Sequence, residues 1–536
     1  MRRVLDWLRG FYGSSRGRWL WIGLTLVALF GVYWFIGSVG KAGEWPRYMD
    51  YYDLQAEGFR SGHLYIPVEP NPQLLAQADP YDPVHVKLWF WDVTLYKGRY
   101  YMYWGPVPGL LQAAAKSVLG LPRMRMVGDQ YLVFGMFSLA ALAGALLIER
   151  LQRRLLPSVP FWLVLLAIFA LGMANPAPHL VASGGVYQAS IGAAQAFLLL
   201  GLVFAFDAVW SAESGPVRKR HLLLAGSCWA LALGSRVSMV PAVGVLTALT
   251  ALGCALPSSV RNLRAWWPAV KAASFITIPL GAAMALLLLY NALRFDTPFE
   301  FGTSLQLSTL KFRLSTDYWL INAYTYLLRP FQEGCAFPWA FAPWYLPAKE
   351  ALAGWIGIPH GYMINEPVVG WLRVVLVTWW LPVAVVVGYR KLKQVAAAAW
   401  RGTVPAGADV AYAFSALCFL VLGTLTAVML LGLYMATMRY LADVTNGLVL
   451  LGTLGGFTVL ATRRRHVTRL ISGALLTLTL LATIVFGFLL GYQGYTGHFK
   501  QFNPALDSRF QQWFSTCEET ATPPAQGEPR KRKRQQ

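Results

Sequence analysis

Stretches of mostly apolar residues recur along the chain and alternate with short polar segments. The first covers 19–39. Others fall at 128–149, 159–177, 186–208, 220–234, 237–256, 270–292, 369–388, 411–434, 442–461 and 468–491. A helix needs about 20 apolar residues to cross about 30 Å of hydrocarbon, and most of these runs approach that length. The pattern predicts an all-α polytopic membrane protein with about eleven transmembrane helices. The pair flanking Arg236 is the exception, because 220–256 can also form one re-entrant or bent element.

Composition agrees. Of the 536 residues 56% are hydrophobic and 13% charged, against about 25% charged in soluble domains. An ordinary soluble enzyme, a disordered chain and a disulfide scaffold are excluded. The net charge of +21 has the size of a nucleic-acid signal but not its distribution, because the cations sit in short clusters between apolar runs. Alternation from a cytoplasmic N-terminus puts Arg150/Arg153/Arg154, Arg218/Lys219/Arg220, Arg261/Arg264/Lys271, Arg390/Lys391/Lys393 and Arg463/Arg464/Arg465 on the cytoplasmic side, as the positive-inside rule requires. Nucleic acid is not an expected partner; membrane lipids are.

The first run follows Arg2, Arg3, Arg9, Arg16 and Arg18 and lacks a small-residue cleavage site. It reads as a retained helix after a cytoplasmic segment 1–18. The membrane module then covers 19–491, with two large outer loops at 39–127 and 293–368. An outer C-terminal segment, 492–536, ends in the disordered basic tail Arg530-Lys531-Arg532-Lys533-Arg534. That tail lies too far from the last span to steer topology. Cys335 and Cys517 would both face outward, where a disulfide is one option, although spacing does not fix their distance. No CxxC, HExxH, P-loop or GxGxxG leading into a helix is present, and the His residues show no metal-ligand spacing.

The outer loops carry the candidate chemistry. A loop of this length is uncommon without a role. After Asp50, Tyr52, Ala56 and Phe59 recur at helical spacing, and Gly62 can stop the helix. Asp50, Asp53 and Glu57 then share one face, an arrangement that calls for solvent or a cation. The plain reading is a solvated helix face with Asp50 as N-cap. The functional reading makes one carboxylate a general base, with a neighbour binding substrate or a divalent cation. Further on, Asp92-Val93-Thr94-Leu95-Tyr96 and Arg99-Tyr100-Tyr101-Met102-Tyr103-Trp104 flank Lys97-Gly98, the tight turn of a hairpin. Such rings anchor a structure at headgroup level or stack on sugars. The run 106–121 is an apolar helix short enough to lie along the interface.

The order of these features resembles the polytopic GT-C glycosyltransferases, which take a sugar from a polyprenyl-phosphate carrier on the outer membrane face. The resemblance is carried by the first helix and by the acid-rich segment Asp50…Tyr52-x-x-x-Ala56-x-x-Phe59-x-x-Gly62. It continues in the interfacial helix, in the stretch from Asp92 to Pro106, in Tyr290-Asn291-Ala292-Leu293-Arg294-Phe295-Asp296, and in Arg439-Tyr440-Leu441. It runs from the first helix to about residue 510. It implies a multi-pass protein of the bacterial cytoplasmic membrane, with its active site facing the periplasm or cell exterior. The implied reaction transfers a sugar with inversion to a hydroxyl of a glycan, lipid or protein. Asp50 or Asp53 would be the base, and Glu57, Asp92, Tyr96, Lys97, Arg236, Arg294, Arg439 and Tyr440 would contact substrate. The family's frequent Asp-Glu pair is absent, which leaves the base open between Asp50 and Asp53. Where relatives often carry an acid after Tyr-His, this chain has Tyr187-Gln188-Ala189-Ser190, and no role is transferred there.

Arginine in hydrocarbon costs about 2.5–3.5 kcal/mol or more, so Arg236 and Arg439 should face a polar partner or cavity. Arg439 can snorkel and pair with Asp443 one turn on, or, with Arg236, bind the carrier phosphate. Two other classes stay open. A lipid or sugar transporter or flippase would favour repeats and midplane ionisable groups, and a catalytically silent GT-C-like scaffold would need neither.

Overall fold

The computed structural model describes residues 14–212, 218–255, 266–310, 313–346, 350–495 and 497–517. Arg261, Arg264 and the basic tail lie outside them. Helix α1 (Ser15–Gly37) opens on Ser14, whose hydroxyl accepts the Gly17 N–H at 3.0 Å. Its buried residues Ile22, Leu26, Leu29, Tyr33 and Ile36 form one stripe of three- and four-residue steps. The first outer loop contains α2 (Tyr51–Arg60), a hairpin of β1 (Thr94–Tyr96) and β2 (Arg99–Tyr101), and α3 (Val107–Val118). The bundle continues with α4 (Asp129–Leu155), α5 (Phe161–Met173), the short α6 (Ala177–Ala182), α7 (Val186–Ser211), α8 (Lys219–Ser235), α9 (Val240–Ala255) and α10 (Trp267–Phe295). The second loop includes β3 (Met363–Ile364). After it come α11 (Leu381–Arg401), α12 (Gly407–Leu431), β4 (Met435–Ala436), α13 (Ala442–Thr462), α14 (His466–Gln493), α15 (His498–Phe502) and α16 (Pro504–Phe514). Strand β3 pairs in parallel with β4, Met363 opposite Met435.

Among the described residues, eight helices are long and apolar enough to cross a membrane: α1, α4, α7, α9 with its preceding turn, α10, α12, α13 with its preceding turn, and α14. The expected span at 159–177 is shorter, because Pro176 separates α5 from α6. The one at 220–234 is the 17-residue α8. The run 369–388 breaks into a turn at Trp371–Val374, a 3₁₀ segment at Leu376–Trp380 and the start of α11, whose second half carries Arg390, Lys391 and Lys393. Helices α7 and α13 form the centre, with 89% and 83% of their most apolar windows buried, while α10 lies at the periphery with 17%.

The two ends of the bundle differ. At one, Arg18 reaches Gln152 at 2.7 Å, Arg150 and Arg154 each reach Asp207 at 2.9 Å, and Arg469 donates to the Ser158 carbonyl at 2.8 Å. Part of the basic pattern is therefore gathered there. At the other, the two long loops pack together: the Asp92 N–H donates to Leu307 at 2.9 Å and the Leu307 N–H returns to Val93 at 2.8 Å. The C-terminal helices join the same end, where Phe35, Phe337 and Phe510 meet. A disulfide between Cys335 and Cys517, 182 positions apart, ties α16 to the second loop.

Candidate functional site

Helices α2 and α3 form a platform over the bundle, and most of its acids are committed to it. Asp53 is buried; Lys116 of α3 reaches its Oδ1 at 2.5 Å, and the Val127 and Gly128 N–H groups donate to Oδ2 at 2.5 and 2.7 Å. Glu57, also buried, meets Lys116 at 2.5 Å, Arg60 at 2.8 Å and the Met124 N–H at 2.9 Å. Burial pushes the Glu57 carboxyl up, but Lys116, the Met124 N–H and Arg60 outweigh it and hold the group below its usual range. Asp129, at the start of α4, accepts the Tyr52 and Asp53 N–H groups at 3.1 and 3.0 Å. It serves the N-terminus of α2, where backbone donors favour a carboxylate. Sequence reasoning missed both Lys116 and Asp129.

Asp50 differs. It takes the N-cap position of α2 as expected, but its side chain makes no capping bond. The carboxylate is half-buried, and Oδ1 is shut off from solvent without a hydrogen-bond partner. Burial is the main force raising its pKa, opposed by Arg47 and reinforced by Asp53. A desolvated carboxylate that nothing saturates is suited to accepting a proton. Asp53 and Glu57 do share a face, as the spacing predicted, but an internal ammonium fills it. A metal role for Glu57 does not fit, since both its oxygens are engaged. Among the described residues no three His, Cys, Asp or Glu side chains converge as a metal site.

Asp92 lies behind the hairpin, buried and in a left-handed conformation (φ 64°). It accepts hydrogen bonds from Tyr103 at 3.2 Å, Gln306 at 2.5 Å and Tyr187. Tyr96 and Lys97 sit at the exposed hairpin turn, where both contact Asp296, at 2.7 and 2.5 Å. They join the two loops and are far more exposed than the platform acids. Arg294 is buried; it donates to the Met102 carbonyl at 2.5 Å and to Asn291 at 2.7 Å and stacks on Tyr290 at 3.8 Å. Its geometry is that of a strut between α10 and β2.

Arg236 and Arg439 each find a carboxylate partner, but the expected Arg439–Asp443 pair is not formed. Arg439 does not pair with Asp443. It lies in the 3₁₀ turn Met438–Leu441 before α13, so the one-turn α-helical register that would bring them together is not formed. Its partner is Glu366 of the second loop, and its guanidinium stands 4.0 Å from the Tyr187 ring centroid. Asp443 instead pairs with Arg236 at 3.0 Å and accepts from Gln195 at 3.2 Å. Arg236 occupies the extended break between α8 and the turn leading into α9 (φ −154°, ψ 104°).

That break borders a cavity of about 250 Å³. Its polar edge is Arg236, Ser238, Thr426, Tyr440 and Asp443, and its walls include Met239, Leu425, Met429, Leu430 and Leu433. An anion with an apolar tail fits this division. The platform rests on the same break. Tyr52 of α2 donates to the Gly105 carbonyl at 3.2 Å, and Gly105 packs so closely on Gly234 and Ser235 that a side chain there would collide with their backbone. Arg236, Tyr440 and Asp443 are therefore brought together, Asp50 is carried on the adjoining platform, and Tyr96, Lys97 and Arg294 stand apart.

No protein-family model and no curated protein matches the chain. Among the solved structures similar to it are the following two. One is the archaeal oligosaccharyltransferase AglB from Archaeoglobus fulgidus in complex with an inhibitory peptide and a dolichol-phosphate. It has 14% identity and a TM-score of 0.41, covering 93% of this chain and 60% of that one. The other is the Archaeoglobus fulgidus oligosaccharyltransferase in the apo form, with 12% identity and a TM-score of 0.41, covering 95% and 62%. The chain spans about three fifths of the length of either.

Proposed function

We propose that this chain is a GT-C-type membrane glycosyltransferase that moves a sugar from a polyprenyl-phosphate carrier to a hydroxyl acceptor. The acceptor is a glycan, a lipid or a protein, and transfer occurs on the outer face of a bacterial cytoplasmic membrane. One observation carries the reading: of Asp50, Asp53, Glu57, Asp92 and Asp129, Asp50 alone keeps a desolvated carboxylate oxygen without a partner, on a platform seated against the Arg236 cavity. The acceptor O–H gives its proton to Asp50 while its oxygen bonds to the anomeric carbon. The bond from that carbon to the carrier phosphate breaks, and its electron pair leaves with the phosphate. Direct displacement inverts the configuration. Arg236 and Tyr440 stabilise the departing phosphate, and the apolar walls hold the first prenyl units.

The test is transfer from a polyprenyl-phosphate-linked sugar in reconstituted vesicles. Asp50→Asn is expected to keep expression and carrier binding and to lose about 10²–10⁴-fold in rate. Unchanged transfer overturns the assignment of Asp50 as the base, whereas no transfer by the wild-type chain favours the scaffold reading. The helix break at Arg236 favours a second reading, a lipid flippase. Carrier translocation without acceptor, undiminished in Asp50→Asn, would select it.

A further inference from the structure

We infer that Asp443 makes the carrier site prefer the sugar-loaded phosphodiester over the unloaded phosphomonoester, and so drives release of the used carrier. The inference rests on the reading of the Arg236 cavity as the carrier-phosphate site. Arg236 is the one Lys or Arg side chain among the residues lining that cavity. Its charge is already matched by Asp443, 3.0 Å away.

The two partners differ in freedom. Arg236 sits in the non-helical break with a side chain 20% exposed, whereas Asp443 is 3% exposed. Gln195 holds Asp443 at 3.2 Å, and Asn446 holds Gln195 at 3.3 Å. These contacts fix the acid between the two central helices. A phosphate that enters can turn Arg236 toward itself, but it cannot displace the carboxylate. It binds beside a fixed negative charge.

That charge discriminates between substrate and product. A sugar phosphodiester carries one negative charge. Transfer breaks the bond from the anomeric carbon to the phosphate oxygen and leaves a monoester, whose second ionisation lies at about pH 6. At neutral pH and above the product approaches two negative charges. Repulsion from Asp443 therefore rises as the reaction completes, inside apolar walls where charges are weakly screened. An isolated arginine would do the reverse and hold the dianionic product more tightly than the donor. Asp443 thus lowers donor affinity somewhat and product affinity more. It acts through charge on the bound phosphate and is not a catalytic residue.

The experiment measures binding of two probes to the purified full chain in nanodiscs at slightly alkaline pH: a short-chain prenyl phosphate and its methyl diester. The wild-type chain is expected to bind the diester at least as tightly as the monoester. Asp443→Asn is expected to bind the monoester roughly tenfold more tightly than wild type does, with a smaller gain for the diester. Equal gains for both probes overturn the inference. Should Asp443→Asn fail to fold, the wild-type comparison decides alone: a monoester bound much more tightly than the diester overturns it. Arg236→Ala separates this from the premise. Weakened binding of both probes keeps the cavity as the phosphate site, whereas unchanged binding removes that reading and the inference with it.

Discussion

Lys116 places one ammonium 2.5 Å from both the Asp53 and the Glu57 carboxylate, with all three side chains buried. A single cation from α3 thereby bridges two acids of α2, and Arg60 supplies the second positive charge, 2.8 Å from Glu57. Breaking a buried charge pair from one side typically costs about 3–5 kcal/mol. Lys116→Met is accordingly expected to lower the unfolding temperature sharply, and Lys116→Met with Asp53→Asn and Glu57→Gln to recover much of it. A Lys116→Met chain as stable as wild type would show that the platform does not depend on this ammonium. Because Asp53, Glu57 and Asp129 are already engaged and leave Asp50 without a second free carboxylate beside it, chelation by EDTA should leave transfer unchanged.

The acid limb of the pH–rate profile should lie above 3.8, the ordinary Asp value, because burial raises the Asp50 carboxyl. The base works only when ionised, so transfer falls as pH drops through that raised pKa. Arg47 opposes the shift, so Arg47→Ala should move the limb to higher pH, and Asp50→Asn should abolish it. Linkage gives a second readout. A raised carboxyl pKa means that the charged form weakens the fold at neutral pH, so Asp50→Asn should unfold no earlier than wild type. Glu57 has the opposite sign. Its lowered pKa contributes stability that is present above 4.5, its ordinary value, and is lost as pH falls through the lowered one.

Arg439→Ala should compromise folding rather than carrier binding. Its loss strands Glu366, which is 3% exposed, as an unpaired buried charge, at about 3–5 kcal/mol. Replacing both partners, Arg439→Met with Glu366→Leu, should restore folded yield in detergent. Carrier binding that is weakened in a fully stable Arg439→Ala chain would return this residue to the phosphate site. Arg439→Lys should rescue only in part, since an ammonium lacks the planar fork.

Topology is checked by labelling a cysteine placed at Ser308 in intact cells. Ser308 lies beside Leu307, which bonds the first loop, so its exposure reports for both. Reaction with an impermeant reagent is expected. Reaction only after permeabilisation would put the loops, and Asp50 with them, on the cytoplasmic side. Cys228, Cys254 and Cys418 are buried and should give little background.

Much of the bundle was legible because lipid imposes a length and a hydropathy on each span, and those appear directly in sequence. The departures arise where an apolar run hides a break. Residues 369–388 contain no charged residue except Arg373, so nothing in their hydropathy marks the change from turn to 3₁₀ to helix. The hairpin at Lys97-Gly98 was readable from the turn alone, and both residues adopt positive φ, 47° and 70°. The acid face of α2 was readable too, since Asp53 and Glu57 do lie together. Their partner was not, because Lys116 reaches them from another helix. Its only trace is a lone charge in the otherwise uncharged helix Val107–Val118. Arg439 and Asp443 are neighbours in sequence and belong to different pairs in space, because a 3₁₀ turn separates them and each finds its partner on another element.

The Cys335–Cys517 bond also has a place in time. Its first half is made before helices α11 to α14, and its second half after all of them. The thiols can meet only once the last of those helices has been threaded and the chain beyond it delivered to the second loop, and oxidation then requires an oxidising compartment. Closure is therefore among the last events of biogenesis. On a non-reducing gel, the oxidised band would count the molecules whose insertion is complete, and the reduced band those still in transit.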